Sequence, residues 1–150
     1  MPASHPVDSD CIFCKIVAGA IPCHKLHEDA HTLAFLDIGP IAPGHVLVIP
    51  KAHYVTLDQV PAEVAAACAA VLPRLSKAVV QAVGATAWNV LQNNGREAHQ
   101  AVMHVHFHII PVAGGRALDF KWQPGKLAGD DAARLRQSIV ARLGNSELEA

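Results

Sequence analysis

Between Val64 and Val83 apolar residues return at helical spacing, with Val64, Cys68, Val71, Leu72, Leu75, Val79 and Val83 forming one stripe. The pattern predicts a single long helix that ends at Gly84. Pro61 suits its first turn, where a missing backbone donor costs nothing. Pro73 lies inside the pattern and removes one donor, which predicts either a kink or two abutting helical pieces. Elsewhere the period shortens to two. His31 to Ile38 and His45 to Pro50 read as strands, and Gly39-Pro40 with Pro43-Gly44 punctuates the loop between them, so the two form a hairpin. Ala85 to Gln92 reads as a third, central strand, Asn93-Asn94-Gly95 as a turn, and Val102 to Val112 as a long alternating strand. A short helix over Cys14 to Ala20 stops at Ile21-Pro22, because the residue before proline avoids the helical region. An amphipathic helix over Asp130 to Leu143 closes the chain. Helices of crossover length between strands are few, which favours an α+β antiparallel sheet with helices packed on one side over a doubly wound parallel one.

The chain has 150 residues, enough for one domain with a self-sufficient core. Residues 1–10 read as a flexible tail, and the ordered domain begins near Cys11. A formal net charge of -1 with 17% charged residues argues against a general nucleic-acid binder. The longest apolar stretches, such as Val64 to Leu72, fall short of the roughly 20 residues that cross a bilayer, so no membrane partner is expected. Met1 to Asp10 lacks the basic start and apolar run of an export signal, which predicts a cytoplasmic protein. In that compartment Cys11, Cys14, Cys23 and Cys68 fit free thiols or metal ligands rather than disulfides.

Ten histidines make their placement the next question. On an extended strand His104, His106 and His108 face one way, about 6.5 to 7 Å apart, while Met103, Val105, Phe107 and Ile109 face the long helix. One histidine on a strand is ordinarily a surface or hydrogen-bonded residue. Three at period two leave two readings: the first coordination shell of a metal, or a division of labour between nucleophile, phosphate contact and scaffold. A neutral imidazole attacks phosphorus through one nitrogen when the other donates to a backbone carbonyl, and a neighbouring imidazolium would steady the phosphate charge. Asn93 and Gln100 carry amide donors suited to phosphate oxygens. Cys11 and Cys14 have the spacing of half a tetrahedral zinc site, or are two small buried residues. Cys23 and Cys68 read as ordinary core residues.

The stretch Asn93 to Pro111, with Asn93-Asn94-Gly95, Gln100 and His104-Val105-His106-Phe107-His108-Ile109-Ile110-Pro111, resembles the signature of the histidine triad (HIT) nucleotide-binding family. Cys11 to Ile16, Ile21-Pro22, Ala34 to Ile38 and Gly44 to Lys51 resemble it too, in the same order. The resemblance covers the motif-bearing core at 11–112 of a HIT domain over 11–150; the segment 113–150, with Trp122, is the expected source of substrate specificity, and Trp122 reads equally as a packing residue. It implies a homodimeric α+β fold of about five antiparallel strands, one long helix and shorter helices.

The resemblance further implies a hydrolase or nucleotidyl transferase. Such an enzyme cleaves at the α-phosphate of purine nucleoside phosphoramidates, adenylates or dinucleoside polyphosphates and needs no catalytic metal. His106 would be the nucleophile, His108 and His45 would border the α-phosphate, and Gln100 and Asn93 would contact it through their amides. Asp37 would take the ribose hydroxyls. Phe13, Ile16, Ile21, Phe35, Ile38 and Leu47 would wall the purine. Members of the bacterial zinc-containing type imply a structural Zn²⁺ held by Cys11, Cys14, His53 and His104.

The chain departs from the family pattern at His99, where many members have Gly, and at Ala101, where one branch has Ser. Both bear on the leaving group, and the sequence leaves open whether His99 replaces a hydroxyl there. Two other classes compete with the hydrolase: a purine-nucleotide sensor or interaction module with little catalysis, and a three-histidine metalloenzyme. The latter requires His104, His106 and His108 to converge on one ion.

Overall fold

A computed structural model describes residues 6–144; residues 1–5 of the expected tail and 145–150 of the C-terminal segment lie outside it. The chain forms two compact units, one up to Leu118 and one from Asp119. The first contains α1 (Ile12–Val17), β1 (Lys25–Glu28), β2 (Thr32–Leu36), β3 (Val46–Pro50), α2 (Ala62–Val83), β4 (Trp88–Gln92) and β5 (Phe107–Pro111). The second contains α3 (Gly129–Leu143).

The five strands form one antiparallel sheet in the order β1-β2-β3-β5-β4. Alternation along β2 and β3 sorts two cores. Ala34, Val46 and Val48 face α2 and pack with Val71, Leu75, Val79 and Ile109. Leu33, Phe35, Leu47 and Ile49 face the other way and pack with Cys11, Phe13 and Cys14 at the start of α1. Helices therefore cover both faces of the sheet, not one as expected. The sequence signal for α1 was weak because its six residues bury only Phe13 and Cys14.

Helix α2 runs unbroken through Pro73, which excludes two separate pieces. Pro73 is exposed, so the carbonyl it leaves without a helical donor is free to meet water. Gly84 ends the helix at φ 68°, a left-handed C-cap. At the β2–β3 turn Gly44 has φ 85°, and a Cβ there would stand 2.8 Å from Val83 Cγ1. Only glycine lets the turn close against the end of α2.

Four further readings are corrected. Helix α1 begins and ends earlier than Cys14 to Ala20. The strand expected over Ala85 to Gln92 is β4, shorter and at the sheet edge, because it pairs with β5 alone. Strand β1 was not anticipated: three of its four residues are exposed and a bulge separates Lys25 from His27, so no alternation survives to be read. The long strand Val102 to Val112 is reduced to Phe107–Pro111. On the neighbouring strand Pro50 has no amide hydrogen to extend the ladder. The chain instead folds back, with His104 N–H donating to Val102 O at 2.9 Å and Val105 N–H to Tyr54 O at 2.7 Å.

Candidate functional site

Because residues 102–106 leave the ladder, the three histidines do not stand in a row. His108 is on β5, opposite Leu47 and on the face of Phe35 and α1. His106 lies beside it, ring centroids 4.8 Å apart, and its far flank meets the edge of Phe13 at 5.3 Å. His104 turns toward the α1 cysteines. The three rings do not converge on one ion, which removes the geometry a three-histidine metalloenzyme requires.

Backbone partners fix the tautomers of His106 and His45, and His45 in turn fixes that of His108. His106 Nδ1 is 2.6 Å from the carbonyl oxygen of His104. A carbonyl only accepts, so Nδ1 carries the hydrogen and Nε2 the lone pair. His45 Nδ1 accepts from Ile41 N–H at 3.1 Å, so its Nε2–H donates to His108 Nδ1 at 2.8 Å. His108 is then left with Nε2–H as a donor. Asp37 Oδ2 lies 3.6 Å from His45 Nε2, and Asp37 Oδ1 accepts from Gly39 N–H at 2.8 Å.

Burial holds all these rings below the usual imidazole range. For His108 burial, assisted by the neighbouring His106 and His45, brings the value down to about 4. The imidazolium expected beside the nucleophile is therefore a neutral ring near pH 7, which offers an N–H dipole in place of a full charge. The physical reason is desolvation of three rings that lie against one another, His45 beside His108 and His108 beside His106.

His106 and His108 line a cavity of about 300 Å³. Its wall contains Phe13, Ile16, Ile21, Phe35, Ile38 and Leu47 from the expected apolar set, together with Asp37. Ile38 stands at the rim, 88% exposed. The wall also contains Ile12, Pro22, Cys23, Leu36, Ala101 and Val102, which sequence reasoning did not assign. Cys23, read as a core residue, is half-buried there, and its position directly after Ile21-Pro22 was the available signal. Cys68 is buried as expected.

Three expected site residues do not line the cavity. His45 is 3% exposed and reaches the cavity through His108. Gln100 is 2% exposed: its Nε2 donates to Val55 O at 2.7 Å and Val102 O at 3.1 Å, and its Oε1 accepts from Gly95 N–H at 2.7 Å. Both amide hydrogens are thereby committed to the loop. Asn93 Nδ2 donates to His99 O at 3.4 Å.

A second cluster joins Cys11, Cys14, His53 and His104, whose ligating atoms lie within 4.8 Å of one another. Cys11 Sγ is 3.4 Å and Cys14 Sγ 3.7 Å from His104 Nδ1, and Cys14 Sγ is 3.4 Å from His53 Nδ1. Ligands at tetrahedral zinc, with bonds of about 2.0–2.3 Å, stand roughly 3.3–3.8 Å apart. Both histidines present Nδ1 to the sulfurs. His104 Nε2–H donates to Pro50 O at 2.9 Å, and His53 Nε2 faces Asp8 Oδ2 at 3.8 Å. Asp8 O also accepts from Cys11 N–H and Pro6 O from His53 N–H, so the described part of the expected tail is bonded to this cluster. Asp37, His45 and His108 form a third set of potential ligands. There the 2.8 Å nitrogen separation is that of a hydrogen bond.

The sequence profile described as the HIT domain matches residues 18–114. The adenosine 5'-monophosphoramidase hnt1 of Schizosaccharomyces pombe is 48% identical over 134 residues, covering 89% of this chain and 98% of that protein. The crystal structure of a member of the HIT family of proteins from Bacillus subtilis superposes with a TM-score of 0.87 at 39% identity, over 92% of this chain and 100% of that one. A Zn-bound histidine triad family protein from Mycobacterium smegmatis gives 0.68 at 37%, over 92% and 98%.

Proposed function

The chain belongs to the HIT family, and from that premise we propose that it is a hydrolase or nucleotidyl transferase with His106 as nucleophile. Its substrates are purine nucleoside phosphoramidates, adenylates or dinucleoside polyphosphates. The observation that carries the reading is the His106 Nδ1 contact with the His104 carbonyl, which leaves Nε2 as a nucleophile on a ring that lines the cavity. The phosphoramidase activity in the name of the yeast relative supports the substrate class.

In the first step Nε2 bonds to the α-phosphorus and the bond to the leaving group breaks. In the second, water attacks the nucleotidyl-histidine and releases a nucleoside monophosphate. His108 Nε2–H donates to a phosphate oxygen and is held in that tautomer by His45. Asp37 receives the ribose hydroxyls, and the apolar wall receives the purine. Gln100 and Asn93 serve the α-phosphate by shaping the loop that ends at Ala101.

The four-ligand cluster suits zinc in a structural role, with no step of the chemistry passing through it. Bound there, the ion would tie α1 and its preceding residues to His104, and through the His104 carbonyl to the nucleophile. The zinc in the mycobacterial structure supports this choice of metal.

The same reading includes a homodimer. It is supported by the free edge of β4, where Trp88 is 45% and Val90 48% exposed. The segment 113–150 carries substrate preference beyond the motif-bearing core. The protein acts in the cytoplasm on small molecules and engages neither membrane nor nucleic acid. Among the described residues no helix is long and apolar enough to cross a membrane.

The test is AMP release from an adenosine phosphoramidate and from diadenosine tetraphosphate by the protein and by His106→Ala. Turnover that the variant loses by at least about 10³-fold supports the reading. Nucleotide binding with no turnover of either substrate would favour the sensor module instead.

A further inference from the structure

Expelling an amine from phosphorus requires a proton at the departing nitrogen. Asp37 shares the wall with the nucleophile, but its oxygens accept from Gly39 N–H and face His45 Nε2, and the rest of the wall nearest His106 has no group suited to supply the proton. His106 donates its one N–H to a backbone carbonyl. His108 is neutral and fixed as a donor by His45, so losing Nε2–H would leave an imidazolate. Ala101 has no polar atom. Cys23 precedes β1, and Lys25 pairs with Phe35, Phe35 with Leu47 and Leu47 with His108. Three strand spacings, roughly 14 Å, separate that end of the cavity from His108.

The loop that leads into the nucleophile strand carries the missing group. His99 is exposed, and no side-chain partner of its ring is seen among the described residues. It lies two residues before Ala101, so its Cα is at most about 7 Å from that of a residue in the wall. Its backbone is unusual. Among the described residues His99 alone has positive φ without being glycine, at 66°. Asn93 holds its carbonyl, and the buried Gln100 beside it binds the loop at three points. A strained backbone is thus over-determined by its neighbours while the imidazole is left free.

We propose that His99 is the general acid for amine leaving groups, an assignment that rests on the hydrolase reading above. His106 Nε2 forms a bond to the α-phosphorus as the P–N bond breaks. The P–N electron pair stays on nitrogen and takes a proton from the protonated His99 ring, so the amine leaves neutral. Water then attacks phosphorus and breaks the bond to His106, its proton passing to solvent, from which His99 is reprotonated. The sum is phosphoramidate plus water giving nucleoside monophosphate plus amine.

The experiment compares two adenosine 5'-phosphoryl substrates: an alkylamide, whose leaving nitrogen needs the proton, and a p-nitrophenyl ester, whose phenolate leaves without one. His99→Gly and His99→Asn both tolerate positive φ, so circular dichroism melts are expected at or above the wild-type temperature. Both variants are expected to lose roughly 10²-fold in kcat on the alkylamide and to stay within about threefold on the ester. Equal loss on both substrates, or loss on neither, overturns the assignment while the His106 chemistry stands. Wild-type protein that cleaves neither substrate overturns both.

Discussion

His45 Nε2 lies 2.8 Å from His108 Nδ1, and that contact decides which nitrogen of His108 carries the hydrogen that faces the cavity. The chain of dependence is longer than the pair. The Ile41 amide fixes His45, His45 fixes His108, and His108 stands beside His106, the proposed nucleophile.

His45→Ala is therefore expected to lower kcat/KM by roughly 10–100-fold, the usual cost of losing an outer partner. AMP affinity should remain within about threefold, because the base wall is untouched. Steady-state kinetics beside calorimetric titration of AMP separate the two. A variant that binds and turns over like the parent would mean that His108 is oriented by something else.

Gln100→Leu is expected to act through the fold. It removes the partners of Gly95 N–H and Val55 O and one of the two donors to Val102 O, at a cost of about 2–4 kcal/mol. The melting temperature should fall by roughly 5–15 °C. A leucine variant with an unchanged melt but lost turnover would instead place the amide at the phosphate.

Chelation gives an independent reading of the cysteine cluster. Purified protein is expected to contain about one zinc per chain by elemental analysis. Its removal should lower the melting temperature by at least ~5 °C, since metal held by the folded state alone stabilises that state. Cys11→Ser should reproduce the loss. Protein without zinc that melts unchanged after chelation would remove the metal.

The pH dependence of stability follows from His108. Its folded value is about 4, against about 6.5 for an unperturbed histidine. Between those limits the unfolded chain binds a proton that the folded site refuses, so stability rises with pH. The contribution is fully present above about 6.5 and is lost as pH falls toward 4. His108→Asn should flatten the slope of melting temperature against pH across that window. An unchanged slope would show that the ring titrates normally in the fold.

Much of the fold was legible because burial imposes a period. The stripe from Val64 to Val83 could only be a helix with one face on the sheet, and the runs His31 to Ile38 and His45 to Pro50 read as strands, although their division of two cores was not legible. The family resemblance also anticipated which apolar residues line one cavity and that Cys11, Cys14, His53 and His104 come together. None of this depends on which distant residue supplies a hydrogen-bond partner.

What the sequence did not determine is set by such partners. Pro50 stops the ladder that alternation promised beyond Phe107, and its carbonyl turns His104 toward the thiols. The His104 carbonyl then decides which nitrogen of His106 carries the lone pair. Helix α1 covers the second face with only two buried side chains, too few to leave a period. Gln100, an amide that composition alone would aim at a phosphate, spends its donors on carbonyls 45 and 2 residues away. Alternation and spacing record which side of an element is apolar. Tautomers, committed amides and strand ends depend on backbone groups brought together by the tertiary fold, and one carbonyl oxygen is the same in every residue type.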